Sequence, residues 1–168
     1  PGRSGFSTAG DKNLSLKILS TDPEGAGNYI RDISIIREGH VELHDAGALF
    51  NPQWLEMLED MRQLRFMDWS KTNNSDVVEW SERTTLDSFN WGALGTPVEV
   101  MVQLANELGT DAWFSMPVGA SENYIRQFAT YVHDNLDPGL TAAVELSNET
   151  WNWAFDQARD IRDMAEVD

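Results

Sequence analysis

The sequence predicts an α/β fold in which a parallel sheet is built from successive βαβ units. From about residue 50 onward, the segments follow the order helix, strand, helix, strand, helix, strand, helix. Parallel strands joined by crossover helices give this order. Residues 1 to about 13 are rich in Gly and Ser, so we expect a flexible start.

Two short segments before residue 45 alternate apolar and polar side chains. They span residues 14–19 and 29–36, and a turn-like Asp-Pro-Glu-Gly sequence at 22–25 separates them. We expect short antiparallel strands here. Residues 1–45 would then form a flexible start and a β-rich accessory segment, and residues 46–168 a second domain.

The second domain is predicted to open with a helix at Asn51-Pro52, because asparagine caps helices and proline suits the first turn. Apolar side chains recur there at three- and four-residue steps, at Trp54, Leu55, Leu58, Met61 and Leu64. A short strand over 64–68 follows. A long polar and aromatic loop then extends to about Gly95.

The remaining elements carry clear start and stop signals. The sequence 96–99, Thr-Pro-Val-Glu, indicates a capping box and a helix that ends at Gly109. Residues 112–116 are predicted to form a buried strand, and Ser121 to cap a helix reaching about Leu136. The last two predicted elements are a strand over 142–147 and a helix over 150–165.

Chain length and element count together predict part of a (β/α)₈ barrel. A closed barrel takes about 250 residues, whereas about 118 of the 168 residues follow residue 50. We therefore expect about three βα units of a longer chain, with the missing barrel half or further domains elsewhere. The alternative is a small α/β sandwich.

Charge and composition exclude several classes of function. Twenty-eight acidic residues against twelve basic ones give a formal charge of −16, which would repel nucleic acid and anionic membranes. Without cysteine, neither a disulfide framework nor a thiolate metal site can form. The chain has no phosphate-binding glycine loop, dinucleotide fingerprint or nucleophile elbow, so we expect no cofactor.

Aromatic and polar residues follow the predicted strands, where parallel α/β folds place their sites. Indole faces stack on sugar rings, so the sequence predicts a polysaccharide- or oligosaccharide-binding groove lined by Asp68, Trp69, Trp80, Trp91, Trp113 and Trp151. The alternative is that the loops fold back and bury their aromatic side chains.

Glu149 is the candidate catalytic acid. A carboxyl group at a strand tip, beside an amide and two indoles, suits protonation of a glycosidic oxygen. Asn148 could equally be a helix cap, and it begins a glycosylation sequon. Arg65 could equally form an ion pair with an acidic neighbour such as Asp68. Glu145 is interpreted as a paired structural carboxylate.

The pair Asn148-Glu149 at a strand end, with Arg65 on an earlier strand, resembles clan A glycoside hydrolases, the (β/α)₈ group that includes many cellulases and mannanases. The phrases at 64–69, 104–109 and 144–152 also resemble secreted bacterial proteins related to that clan. The resemblance covers about residues 50–165.

The resemblance implies a retaining acid/base mechanism on the β-glycosidic bonds of polysaccharides. Glu149 would be the acid/base, Asn148 would contact the sugar 2-hydroxyl, and Arg65 would orient the nucleophile. That nucleophile is expected beyond residue 168, so we expect no turnover by this chain alone. The alternatives are a non-catalytic carbohydrate-binding protein with an aromatic groove, and a small structural α/β domain.

No metal site is expected. His40 and His44 are spaced by four residues with Glu42 between them, which is a possible ligand spacing. They fall in a predicted loop, and the pattern has too few ligands for a metal.

Overall fold

A computed structural model describes residues 17–27, 29 and 33–166. These residues fall within two compact units, Pro1–Ala48 and Leu49–Asp168. In the first unit, a 3-10 helix at Glu38–His40 is followed by helix α1, Val41–Asp45.

The predicted antiparallel strands are wrong wherever the structure describes them. Residues 17–19, 29 and 33–36 are not in strands, and the other positions of the two segments lie outside the described residues. The apolar side chains that the structure describes in these segments are exposed, with Leu19 at 82% and Ile35 at 56%. An alternating pattern forms a strand only where an adjacent strand and an apolar layer are present.

The second unit alternates helices and strands in the predicted order. Its elements are α2 Pro52–Leu58, β1 Gln63–Arg65, α3 Val98–Leu108, β2 Asp111–Met116, α4 Glu122–Asn135, β3 Ala142–Leu146 and α5 Asp156–Ala165. A 3-10 helix, Trp80–Glu82, lies in the long β1–α3 loop. Across the part of the chain that the structure describes, no helix has the length and apolar composition needed to cross a bilayer.

The three strands form one parallel sheet in the order β1-β2-β3. The prediction of a partial (β/α)₈ barrel is therefore wrong, since the described part of the chain has three strands, far fewer than the eight that close such a barrel. The helix–strand order specifies parallel pairing, but it specifies neither the number of strands nor their closure. The observed fold is a small α/β architecture, closer to the alternative.

The core lies on the face of the sheet that carries Ala112, Phe114 and Met116. Phe114 is fully buried, and its ring centroid lies 5.6 Å from that of Phe66 and 5.2 Å from that of Phe128 on α4. Helix α3 packs on the same core through side chains of its apolar stripe, Met101, Val102, Leu104 and Ala105. Helices α3 and α4 thus cover one face of the sheet, and the polar residues described below lie on the other.

The helix boundaries confirm some signals and correct others. Helix α3 ends at Gly109, whose φ of +63° suits a glycine C-cap, and the Ser121 Oγ caps α4 by accepting from the Tyr124 N–H at 3.1 Å. The predicted box at 96–99 is wrong, because the N-cap of α3 is Pro97, which makes no side-chain cap. Helix α5 begins at Asp156 rather than near 150, because residues 149–155 fold into turns.

Candidate functional site

One face of the sheet carries a row of interacting polar and aromatic side chains. The register pairs Arg65 with Trp113, and Ser115 with Glu145, and alternation places all four on the face opposite Phe114. The Arg65 Nη2 and Nε donate to one Glu145 oxygen at 2.7 and 3.2 Å, and the guanidinium lies 5.1 Å from the Trp113 ring centroid. Arg65 therefore links the two edge strands across the middle one.

The ion pair of Arg65 is with Glu145 rather than with Asp68. This agrees with the interpretation of Glu145 as a paired structural carboxylate. Both side chains are about one-third exposed, at 36% and 30%. A pair this accessible contributes about 0–1 kcal/mol, so its main effect is to fix the position of the guanidinium.

Asn148 lies beside this pair and is buried, at 4% exposure. Its Oδ1 accepts from the Arg65 Nη2 at 2.8 Å, and its Nδ2 donates to the Asn73 Oδ1 at 3.0 Å. Both ends of the amide are thus held by protein groups. The structure brings together two of the predicted catalytic residues, Arg65 and Asn148, and holds the amide in a fixed orientation.

Gln157, at the start of α5, connects the loops that follow β1 and β3. It is fully buried, and its Nε2 donates to the Asn148 carbonyl at 2.7 Å and to the Asn73 Oδ1 at 2.8 Å. Its Oε1 accepts from the Asn74 N–H at 3.0 Å. Gln157 was not among the predicted site residues. The sequence does contain a signal for Gln157. It lies four residues before Ile161, so both side chains fall on the same, inward-facing side of an amphipathic helix.

The backbone around Asn148 has an unusual conformation. Ser147 and Glu149 have φ values of +57° and +44°, in the left-handed region that non-glycine residues adopt rarely. Ser147 is fully buried, and its Oγ has no hydrogen-bond partner among the described residues. Such conformations cost about 1–3 kcal/mol each and cluster at functional sites.

The Glu149 side chain is partly exposed and is held in place by the turn that follows it. Its Oε2 accepts from the Asn152 Nδ2 at 2.8 Å, and its carbonyl accepts from the Asn152 N–H at 2.8 Å. A carboxyl group held in this way can accept from or donate to a ligand through its second oxygen.

Two indoles of the same turn are exposed. Trp151 is 74% exposed and Trp153 is 58% exposed, and the Trp153 ring centroid lies 5.7 Å from the Arg162 guanidinium. Trp153 was not in the predicted set of substrate-binding residues. The sequence signal for it was its two-residue spacing from Trp151.

The other predicted groove residues take different positions. Trp69 stacks on Trp54 with centroids 5.9 Å apart, and Trp80 packs edge-on against Tyr124 at 5.5 Å. Both therefore pack against the core, as the alternative of buried loop aromatics predicts. Two further members, Asp68 and Trp91, are exposed and partly buried, respectively.

His40 and His44 belong to the first unit. His40 ends the 3-10 helix and His44 lies in α1, where its Nδ1 is 3.5 Å from the Asp45 Oδ1. Within residues 17–27, 29 and 33–166, no group of three or more His, Asp or Glu side chains is arranged to hold a metal ion.

A search for similar proteins finds no matching family model, and it finds no significant similarity to a curated protein or to a solved structure. The resemblance to clan A glycoside hydrolases thus depends on the short motifs quoted above.

Proposed function

We propose that this chain is a carbohydrate-binding domain of a polysaccharide-processing protein, and that the turn after β3 is its saccharide-contacting surface. The observation that carries the proposal is the exposure of two indoles, Trp151 at 74% and Trp153 at 58%, beside the Glu149 carboxylate. Indoles present flat apolar faces to the CH groups of sugar rings, and a carboxylate accepts hydrogen bonds from hydroxyls.

The turn that presents the indoles is fixed by hydrogen bonds. The Asn152 Oδ1 accepts from the Ala154 N–H at 3.0 Å, and the Trp153 carbonyl accepts from the Arg159 Nη2 at 3.3 Å. A surface held in its binding conformation loses little conformational entropy when a ligand binds. The formal charge of −16 favours neutral or cationic saccharides over anionic ones. We also propose that the protein is secreted, because it would bind polymeric saccharides outside the cell.

The test is titration calorimetry with neutral β-linked oligosaccharides. Trp151→Ala and Trp153→Ala should each weaken binding about tenfold, the change that corresponds to 1.4 kcal/mol. Phe89→Ala is the matched control, because Phe89 is fully exposed, at 101%, in the β1–α3 loop. An affinity that falls as much in the control as in the tryptophan variants would contradict the proposal.

Hydrolysis with Glu149 as acid/base is the second candidate function. The left-handed backbone at Ser147 and Glu149 favours it, because strained conformations are kept where a site requires them. Asn148 would act here as a positioning residue, since its amide is buried and held by Arg65 and Asn73. The test is reducing-sugar release from neutral polysaccharides. Release that is lost in Glu149→Gln would support hydrolysis, and saccharide binding without release would support the binding function alone.

A further inference from the structure

A groove of about 480 Å³ lies between three segments that follow the three strands. Its lining residues come from the β1–α3 loop, which supplies Val78, from the β2–α4 loop and from α5. The residues that define it are Asp76, Val78, Val118, Asp160, Asp163 and Met164. The groove therefore lies at the end of the sheet where the three strands end.

The groove combines apolar walls with an acidic rim. Val78 is 41% exposed and Met164 is 51% exposed, so both offer apolar surface to a ligand. Asp163 is paired with Arg162. Among the described residues, no arginine or lysine forms an ion pair with Asp76 or Asp160. A ligand with an apolar body and a positive charge complements such a surface.

The Val78 wall is preformed. The Val78 N–H donates to the Glu82 carboxylate at 2.9 Å, and the Val78 carbonyl accepts from the Ser121 N–H at 2.9 Å. The β1–α3 loop is therefore tied to the start of α4, and the wall is in place before a ligand arrives.

Arg162 contacts both the proposed saccharide surface and a residue of the groove. Arg162 lies over the Trp153 ring, with 5.7 Å between the guanidinium and the ring centroid, and the same guanidinium pairs with Asp163 on the groove wall. A saccharide lying on the indoles can therefore extend along α5 into the acidic groove.

We infer that the groove binds the protonated amine of an amino sugar, so that the ligand class is a saccharide with free amino groups. This inference rests on the proposed saccharide-binding function. Each ammonium would lie against the carboxylates of Asp76 and Asp160, and the ring would contact Val78 and Met164.

The experiment compares three oligosaccharides of equal length by titration calorimetry at low salt, namely β-1,4-linked glucosamine, N-acetylglucosamine and glucose. The glucosamine oligomer should bind about tenfold more tightly than the other two, as one added charge contact of about 1.4 kcal/mol gives. The preference should disappear in Asp76→Asn/Asp160→Asn. It should persist in Asp87→Asn/Asp137→Asn, which removes the same charge outside the groove.

The possible failures are distinguishable. Equal affinity for all three oligomers overturns the amino-sugar inference and leaves the saccharide-binding proposal intact. The absence of binding to any of them overturns both. If the two double variants show the same preference for the glucosamine oligomer, the preference comes from net charge. The inference that the groove binds the amine is then wrong. A further outcome is that a lysine-rich peptide binds more tightly than the glucosamine oligomer and loses this advantage in Asp76→Asn/Asp160→Asn. That result would show that the groove binds a peptide rather than a saccharide.

Discussion

The Nη2 of Arg65 donates a 2.8 Å hydrogen bond to the Oδ1 of Asn148, although 83 residues separate the two along the chain. Arg65 ends β1 and Asn148 follows β3, so this bond joins the tips of the two outer strands. The same guanidinium pairs with Glu145 within β3. The Arg65 guanidinium thus fixes the side-chain amide of Asn148, the residue directly before Glu149.

Arg65→Ala should lower the free energy of unfolding by about 1–2 kcal/mol, because a partly exposed ion pair and one hydrogen bond to a buried amide are lost. Urea denaturation measures the change. Arg126→Ala is the control, since Arg126 forms an exposed pair with Glu122, at 70% and 88% exposure, and should cost under about 0.5 kcal/mol. Equal losses in the two variants would show that the bond to Asn148 contributes nothing.

Gln157→Leu should lower the free energy of unfolding by about 2–3 kcal/mol. The substitution keeps the approximate volume but leaves the Asn148 carbonyl and the Asn74 N–H without their Gln157 partner. It also removes one of the two hydrogen bonds that the Asn73 Oδ1 accepts. Gln127→Leu, at an exposed position of α4, controls for the residue type and should have little effect. A Gln157 variant as stable as the Gln127 variant would refute the link between the loops and α5.

Phe114→Ala should cost about 3–5 kcal/mol, because it opens a cavity between the sheet and α4 in a packed core. Phe114 is fully buried, whereas Phe89 is 101% exposed. Phe89→Ala should therefore change the stability by no more than about 0.5 kcal/mol. Thermal unfolding of the two variants measures the contrast, and a small loss at Phe114 would be inconsistent with the described core.

Ser147→Ala should raise the free energy of unfolding by about 1 kcal/mol, since it removes a buried hydroxyl without a partner. Thr72→Val is the opposite case, because the Thr72 Oγ1 donates to the Met67 carbonyl at 3.0 Å. It should lower the stability by about 1 kcal/mol. Chemical denaturation measures the change in the free energy of unfolding of both variants. A lower free energy of unfolding in Ser147→Ala would mean that the hydroxyl has a hydrogen-bond partner.

The carboxylate of Glu82 accepts from the Glu79 and Val78 N–H groups, at 2.8 and 2.9 Å, and these bonds hold its pKa below the ordinary glutamate value. A depressed folded-state pKa stabilises the fold above the unfolded-state pKa, and this stabilisation is lost as pH falls through the folded-state pKa. Glu82→Gln should therefore lower the melting temperature at neutral pH, and the deficit should shrink in acid. Glu107→Gln corrects for the change in net charge, and a pH-independent deficit after that correction would contradict the prediction.

The local signals in the sequence were strong enough to predict several elements. Gly109 ends α3 because only glycine adopts its left-handed φ at low cost, and Ser121 caps α4 through a bond to a nearby N–H. The β2 strand was recognisable as a short apolar run that ends at Pro117. These features depend on residues close together in the chain, so the sequence alone determined them, together with parallel pairing and the acidic character of the protein.

The tertiary structure decided the features that depend on distant residues. The pairing of Arg65 with Glu145 and the buried position of Gln157 arise from packing between segments 80 or more residues apart. The number of strands likewise depends on pairing between segments that are not neighbours along the chain. At the described positions 33–36 the alternating pattern forms no strand, and its apolar side chains are exposed. Trp69 and Trp80 pack against the core because aromatic partners are present there. Burial is a property of the assembled molecule, and local sequence specifies only which side chains would gain from it.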